Sequence, residues 1–286
     1  MKKIGISTDC LCDLPEEYLK ANHIEVMHFY IYTATGRFRD GEEITSDNVL
    51  EYLGEGERLI RSNVPVPEEY QDYFENLLEK YDEVVHINTS DKVGLSYPNA
   101  SAALELMGEK AKRITVVNSL ALSSGMGHMV TRVVAMRDNG SSAEEIVRTC
   151  GAMRGKIASS FIAPNADYLY QMGYVGKAVK DICRVFNLHL VLYITDDGKL
   201  SLKSFRAGDY EKAVMRYVRS EFKHPETVEK RQLFITHAGC PSRILQQVRD
   251  EARRLCDFDK ITVTKACAAI SSNCGPGTVG VLFVNK

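Results

Sequence analysis

The stretch Val84–Ala103, VVHINTSDKVGLSYPNASAA, carries the reading of the fold. Val84-Val85-His86-Ile87 is an apolar run of the length of a buried strand. Asn88, Thr89, Ser90, Gly94 and Ser96 follow as a loop of small and hydroxyl residues, and Pro98 suits the first turn of a helix. Ala100–Leu104 continues as good helix material. A strand, a small-residue loop and a helix start present unpaired backbone N–H groups and the positive end of a helix dipole, a natural seat for an anion. A plain strand-to-helix connection accounts for the same residues, because such connections recur throughout α/β proteins.

On the N-terminal side, Lys3–Ser7 reads as a first strand and Thr8–Pro15 as a loop, with Asp13 the N-cap of a helix starting at Leu14-Pro15-Glu16. Ile24–Tyr32 alternates apolar and polar residues and reads as a second strand. Phe38-Arg39-Asp40-Gly41 has turn chemistry, and Ser46 caps a short helix over Asp47–Leu53. Two prolines pin Ser62–Pro67 extended. The helix from Pro67 to Lys80 sets Tyr70, Phe74, Leu77 and Leu78 on one face, a core stripe. On the C-terminal side come a strand over Arg113–Asn118, a small-residue loop over Ser119–Gly127, and helices over Met129–Asn139 and Ala143–Gly155. Strands and helices alternate, which gives a doubly wound parallel sheet with ligands expected beyond the strand carboxyl ends.

From Ala158 onward the pattern changes. Leu188–Thr195, the turn Asp196-Asp197-Gly198 and Leu200–Arg206 form a hairpin, the mark of a mixed sheet. Further strands are expected over Ile157–Ile162, Arg231–His237 and Ile261–Ala266, with a last one in Gly275–Val284 and an amphipathic helix over Ser242–Leu255. The fold class is therefore α/β, an N-terminal doubly wound parallel sheet domain (residues 1–158) plus a C-terminal α+β domain with a mixed sheet (residues 159–286).

Several function classes recede on composition. The net charge is −2, with no basic tail, so nucleic acid is not an indicated partner. No apolar run approaches ~18 residues, the length of a membrane span. The N-terminus enters a strand without the apolar core of a secretion signal, which points to the cytoplasm. The eight cysteines lack metal-ligand spacing and read as reduced thiols that pack as small hydrophobes. His86 reads as a core histidine. His237-Ala238-Gly239-Cys240 invites a Cys/His nucleophile, but no third orienting residue is visible. No G-x-x-x-x-G-K-[ST] phosphate loop and no G-x-S-x-G elbow is present.

Five spaced motifs together resemble the DegV family, bacterial proteins that bind a long-chain fatty acid between two domains. Ser7-Thr8-Asp9-Cys10-x-Cys12-Asp13-Leu14-Pro15 is similar to the family's T-D-S-x-x-D-L-P, with Cys10 at the serine. Ser62-Asn63-Val64-Pro65-Val66-Pro67-Glu68-Glu69-Tyr70 is similar to T-S-Q-P-S-P-E-E-F. The opening stretch matches S-S-x-L-S-G-T-Y-x-x-A, Val117-Asn118-Ser119 with Ser123-x-Gly125-x-Gly127 matches D-S-x-x-x-S-x-G-x-G, and Asn273-Cys274-Gly275-Pro276-Gly277 matches H-T-G-P-G. The resemblance runs from about Ile4 to Phe283.

The resemblance implies a fatty acid such as palmitate, stearate or oleate as ligand, no further cofactor, and a carrier that presents the acid to an acyl-processing enzyme. It implies ligand contacts at Ser62, Gly94, Leu95, Ser96, Gly125 and Asn273. Gly94 stands where the family has a carboxylate-holding serine, and Asn273 where it has a histidine. Tyr174 replaces an arginine tied to docking on a fatty acid kinase subunit, so that partnership carries over least. With no arginine or lysine inside the motifs, the expected head-group site holds its carboxylate by hydroxyl, amide and backbone donors. Each buried methylene contributes about 0.8 kcal/mol, so the chain supplies most of the affinity. Two alternatives stay open: a divergent member with another amphipathic ligand, and an enzyme, either a hydrolase or acyl transferase using Ser96 or Cys240 or a phosphoryl transferase.

Overall fold

The computed structural model describes residues 2–56 and 60–286. Strands are β1 (Ile4–Asp9), β2 (Ile24–Met27), β3 (Tyr30–Thr33), β4 (Gly36–Arg39), β5 (Arg61–Asn63), β6 (Glu83–Asn88), β7 (Ile114–Asn118), β8 (Ile157–Ala163), β9 (Leu188–Ile194), β10 (Leu200–Ala207), β11 (Leu233–Ala238), β12 (Ile261–Lys265) and β13 (Thr278–Val284). Helices are α1 (Glu16–Ala21), α2 (Ser46–Gly54), α3 (Pro67–Leu78), α4 (Ser96–Leu106), α5 (Ser124–Asp138), α6 (Ala143–Met153), α7 (Asp167–Gln171), α8 (Lys177–Val185), α9 (Tyr210–Glu221), α10 (Ser242–Leu255) and α11 (Ala268–Cys274).

Three sheets result. The first is parallel in the order β2-β1-β6-β7, and β6 is buried along almost its whole length, as the centre of a two-sided sheet demands. The second is mixed, β10-β9-β8-β13-β11-β12, with the expected β9–β10 hairpin at its edge. The third is a small antiparallel sheet, β4-β3-β5. Helix α5 lies between the two large sheets and packs on β1, β8 and β13. It can do so because it starts on glycines. A Cβ on Gly127 would stand 2.9 Å from the carbonyl oxygen of Cys12, so only glycine lets the helix sit on the 3-10 turn Cys10–Cys12.

The structure departs from the sequence reading in local detail. The single strand expected over 24–32 is two strands in different sheets, divided at His28-Phe29, where buried Phe29 donates its N–H to Cys10 Sγ at 3.3 Å. The expected turn at 38–41 holds a strand, β4, and turns only at Asp40-Gly41. Thr45, not Ser46, caps α2, and Ser46 turns inward to share a 2.6 Å hydrogen bond with Ser271. Pro15 rather than Asp13 occupies the N-cap of α1. Asp13 has φ +48° and points into the interior. Helix α5 begins at Ser124, so Gly125 and Gly127 belong to its first turn and not to a loop. Helix α11 falls where no helix was expected.

Candidate functional site

The carboxyl ends of the parallel strands, β5, α11 and one face of the mixed sheet surround a cavity of about 720 Å³. Small-molecule sites span roughly 300–1,000 Å³. Most of the wall is apolar, with Leu11, Phe29, Leu122, Phe161, Ile270 and Leu282 as its larger members.

One part of the wall is polar and neutral. Ser62 lies on β5, paired with buried Ile31 of β3, and is more buried than its neighbours Arg61 and Asn63, which also reach the wall. Asn273 comes from the last turn of α11, which packs against β5. Gly94 and Leu95 come from the start of α4, whose first-turn N–H groups carry the positive end of the dipole. Asn99 joins α4 to this group by donating its amide to the Pro65 carbonyl at 2.8 Å. Leu95 is 63% exposed and so stands at the mouth. A Cβ on Gly94 would meet no atom within 4 Å, so nothing in the packing requires the glycine there.

Helix α11 is held in place by carboxylates from the other half of the chain. Asp13 accepts the N–H of Cys267 at 2.8 Å and the hydroxyl of Ser123 at 2.5 Å. Asp40 accepts the N–H groups of Ala268 and Ala269 at 2.9 and 2.8 Å. These donors are the otherwise unpaired N–H groups of a helix start. Both carboxyls are buried, and burial raises them: Asp13 reaches about 7, with Ser123 and the Cys267 N–H opposing the rise, and Asp40 moves in the same direction. Ser123 lines the cavity with φ +60° and ψ −153°, a conformation costly to any residue with a side chain.

Two of the expected ligand residues lie off the wall. Ser96 is fully buried and donates to Asp9 Oδ2 at 2.5 Å while accepting from Asn88 Nδ2 at 2.8 Å. Its one proton is committed, so it has none for a ligand carboxylate. Asp9 also accepts from Tyr70 Oη at 3.0 Å and from the Thr89 N–H at 2.8 Å. Gly125 faces Ser159 behind the wall, where a Cβ would stand 2.1 Å from Ser159 Oγ.

His86 is indeed a core histidine. Its Nδ1 pairs with Ser7 Oγ at 2.8 Å, and its Nε2 lies 3.4 Å from Asp9 Oδ1 without hydrogen-bond alignment. The line Asp9–His86–Ser7 has the composition of a catalytic triad, but all three residues are fully buried and none lines the cavity. His237 does line it, its Nδ1 accepting the Cys240 N–H at 3.3 Å, which leaves the proton of the neutral ring on Nε2. Burial pushes the Cys240 thiol up to about 12, so it is no activated nucleophile.

Arg61 also reaches the wall and has no ion-pair partner among the described residues. Cationic groups are therefore absent from the motifs but not from the cavity. Its position just ahead of Ser62 is the one signal that marks it. Asn63, Asn99, Ser123 and Ser159 are wall residues that the sequence reading did not single out. Among the described residues no group of three His, Cys, Asp or Glu side chains is placed to hold a metal, and no helix is long and apolar enough to cross a membrane.

Fold and cavity define a class: α/β proteins with a parallel sheet, a mixed sheet and a largely apolar chamber whose wall also carries uncharged donors. The chain belongs to the DegV family, described as "Uncharacterised protein, DegV family", which matches residues 3–286. It is 26% identical over 287 residues to a DegV domain-containing protein of Caldanaerobacter subterraneus subsp. tengcongensis, with both chains fully covered. A DegV family protein from Thermus thermophilus, solved in a study of its fatty acid binding, superposes with TM-score 0.87 at 25% identity over 99% of this chain and 100% of that one. The Fatty Acid Kinase B3 protein of Streptococcus pneumoniae, loaded with linoleic acid, shares the fold with TM-score 0.85 at 18% identity, over 99% and 100% of the two chains.

Proposed function

We propose that this protein binds a long-chain fatty acid in the 720 Å³ cavity and carries it, without chemistry of its own, to an acyl-processing enzyme. The observation that supports this most is the make-up of the wall: mostly apolar, with uncharged donors at Ser62, Asn273 and the start of α4. An apolar chain gains about 0.8 kcal/mol per methylene buried. A carboxylate must not be left unpaired. We assign the head group to Ser62, Asn273 and the backbone N–H groups at the start of α4, with Arg61 near enough to add charge. Residues 1–158 and 159–286 are, in this reading, the halves that enclose the acid. The fatty acids bound by the proteins of like fold agree with it.

The carrier reading is favoured over a hydrolase or transferase by two features. Ser96 is committed to Asp9, and the Cys240 thiol is held protonated. Docking on a kinase subunit would use the surface beside the cavity that carries Tyr174, which is 41% exposed. A cytoplasmic location fits such a partner.

The test is mass spectrometry of lipid extracted from the purified native protein, together with binding of added palmitate, stearate and oleate. Recovery of a stoichiometric long-chain acid is expected. Recovery of none, with no binding of any added acid, would refute the proposal.

A further inference from the structure

The mixed sheet is tied to the rest of the chain very differently at its two edges. At the β12 edge, α11 and the end of β12 are bound by Asp13 and Asp40, by the Ser46–Ser271 pair, and by Lys265 Nζ on Asp47 at 2.7 Å. Helix α5 adds Ser124 with Thr236, and His128 with the Leu282 carbonyl, in the middle of the sheet. At the β10 edge, the tip of the β9–β10 hairpin reaches the loops that follow β6 and β7. Among the described residues one hydrogen bond holds it there, from Ser90 Oγ to the Gly198 carbonyl at 2.8 Å.

The hairpin is built as an arm. Strand β9 pairs with β8 only over Leu190–Tyr193, so the chain from Ile194 to Leu200 overhangs its neighbour. The register of β10 slips at Lys203, a β-bulge, which bends the strand. The bulge residue is tied to Glu221 of α9, and Arg206 beyond it donates to Ser220 of the same helix. The base of the arm is therefore fixed and its tip is not. The seat of the tip is strained. Leu120 beneath it has φ +52°, unfavourable for a bulky residue. Gly198, at φ +87°, comes this close because it has no side chain; a Cβ there would stand 2.2 Å from Ser90 Oγ and 3.1 Å from Leu120 Cα. One hydrogen bond is thus set against a strained backbone. The seam also runs along the cavity wall. Ile194 and Leu200 flank the tip, Val93 and Leu122 follow Ser90 and Leu120, and all of them line the cavity.

Resting on the fatty-acid reading, we propose that the tip of the β9–β10 hairpin is the gate of the cavity. It lifts about the bulge at Lys203, parts Ile194 and Leu200 from Val93 and Leu122, and the acid passes through that seam. The apolar lips suit a hydrocarbon chain in passage. Helix α11, with Asn273, stays bound at the opposite edge.

The experiment follows a fluorescent palmitate analogue by stopped flow, onto the full-length protein and off it to phosphatidylcholine vesicles. Ser90→Ala removes the latch and is expected to speed uptake and release together, roughly three- to tenfold, the worth of one hydrogen bond, with Kd held within about twofold. Equal acceleration in both directions is the mark of a gate, because the closed state is weakened in empty and loaded protein alike. Gly198→Ala drives a Cβ into the seat and is expected to speed both by roughly tenfold or more. Lys265→Met breaks an exposed ion pair at the opposite edge and is expected to leave both rates within about twofold. The inference is overturned if the latch variants change neither rate, if they speed release alone and weaken affinity, or if Lys265→Met speeds exchange as much as they do. Either latch variant decides the matter if the other does not fold. Unmoved rates in a protein that binds the acid defeat this inference alone, whereas failure of the wild type to bind any added acid defeats the fatty-acid reading beneath it.

Discussion

Replacing Asp13 with asparagine should change how stability depends on pH. Asp13 is 5% exposed, and burial raises its carboxyl from the ordinary 3.8 to about 7. The native state therefore holds this proton up to a higher pH than the unfolded state does. Stability from this group is greatest below 3.8, falls as pH rises from 3.8 to about 7, and is level above that. The slope in that window is about 1.4 kcal/mol per pH unit, which makes wild type lose about 2–3 kcal/mol between pH 5 and pH 8. Asparagine has the same shape and no charge. Its carbonyl can accept the Cys267 N–H and its amide can donate to Ser123 Oγ. Urea unfolding of both proteins at several pH values between 5 and 8 isolates the effect, since other titrating groups are shared. Wild type should lose stability relative to Asp13→Asn by that amount as pH rises. An equal difference at both ends of the range would show that Asp13 is ionised with an ordinary affinity for its proton, and the account of α11 as tied down by a costly buried charge would fail.

Gly94→Ser places a hydroxyl beside the proposed head-group site without a clash and should tighten palmitate roughly threefold or more, read by displacement of a fluorescent fatty acid; weaker binding would move the head group elsewhere. Ser96→Ala removes a donor from buried Asp9 and should cost about 1–3 kcal/mol in unfolding free energy, while ligand affinity, measured in the same displacement assay, stays within twofold or so. Gly127→Ala forces a Cβ against the Cys12 carbonyl and should destabilise by about 1–3 kcal/mol in denaturant titration.

Legibility in the sequence follows the range over which a residue's role is decided. The bounds of α10, Ser242–Leu255, can be read directly because a long amphipathic period sets them. The hairpin at Asp196–Gly198 is just as local. Residues 24–32 alternate in the same way whether they form one strand or two, and only the pairing of β2 with β1 and of β3 with β5 divides them. Helix α11 has seven residues and no apolar period, and the side chains that cap its start are Asp13 and Asp40, more than two hundred positions earlier. The site shows the same split. Ser62, Gly94, Leu95 and Asn273 reach the cavity wall. Ser96 looks like a donor at a helix start, yet its proton belongs to Asp9, 87 positions away. Gly125 looks like a loop glycine, yet it makes room for Ser159.

The attachment of α11 has a consequence for the order in which the protein is made. A chain emerging from its N-terminus has all four strands of the parallel sheet, β1, β2, β6 and β7, once residue 118 is available, although α5 and α6, which cover one face, come later. The chamber cannot close at that stage. The wall that carries Asn273 is synthesised about 150 residues later, and its anchors Asp13 and Asp40 must wait for it, carrying their burial cost only when it arrives. A chain that stops before residue 268 lacks α11 and with it the wall that carries Asn273. On the proposed function, ligand retention reports on a chain whose α11 is in place.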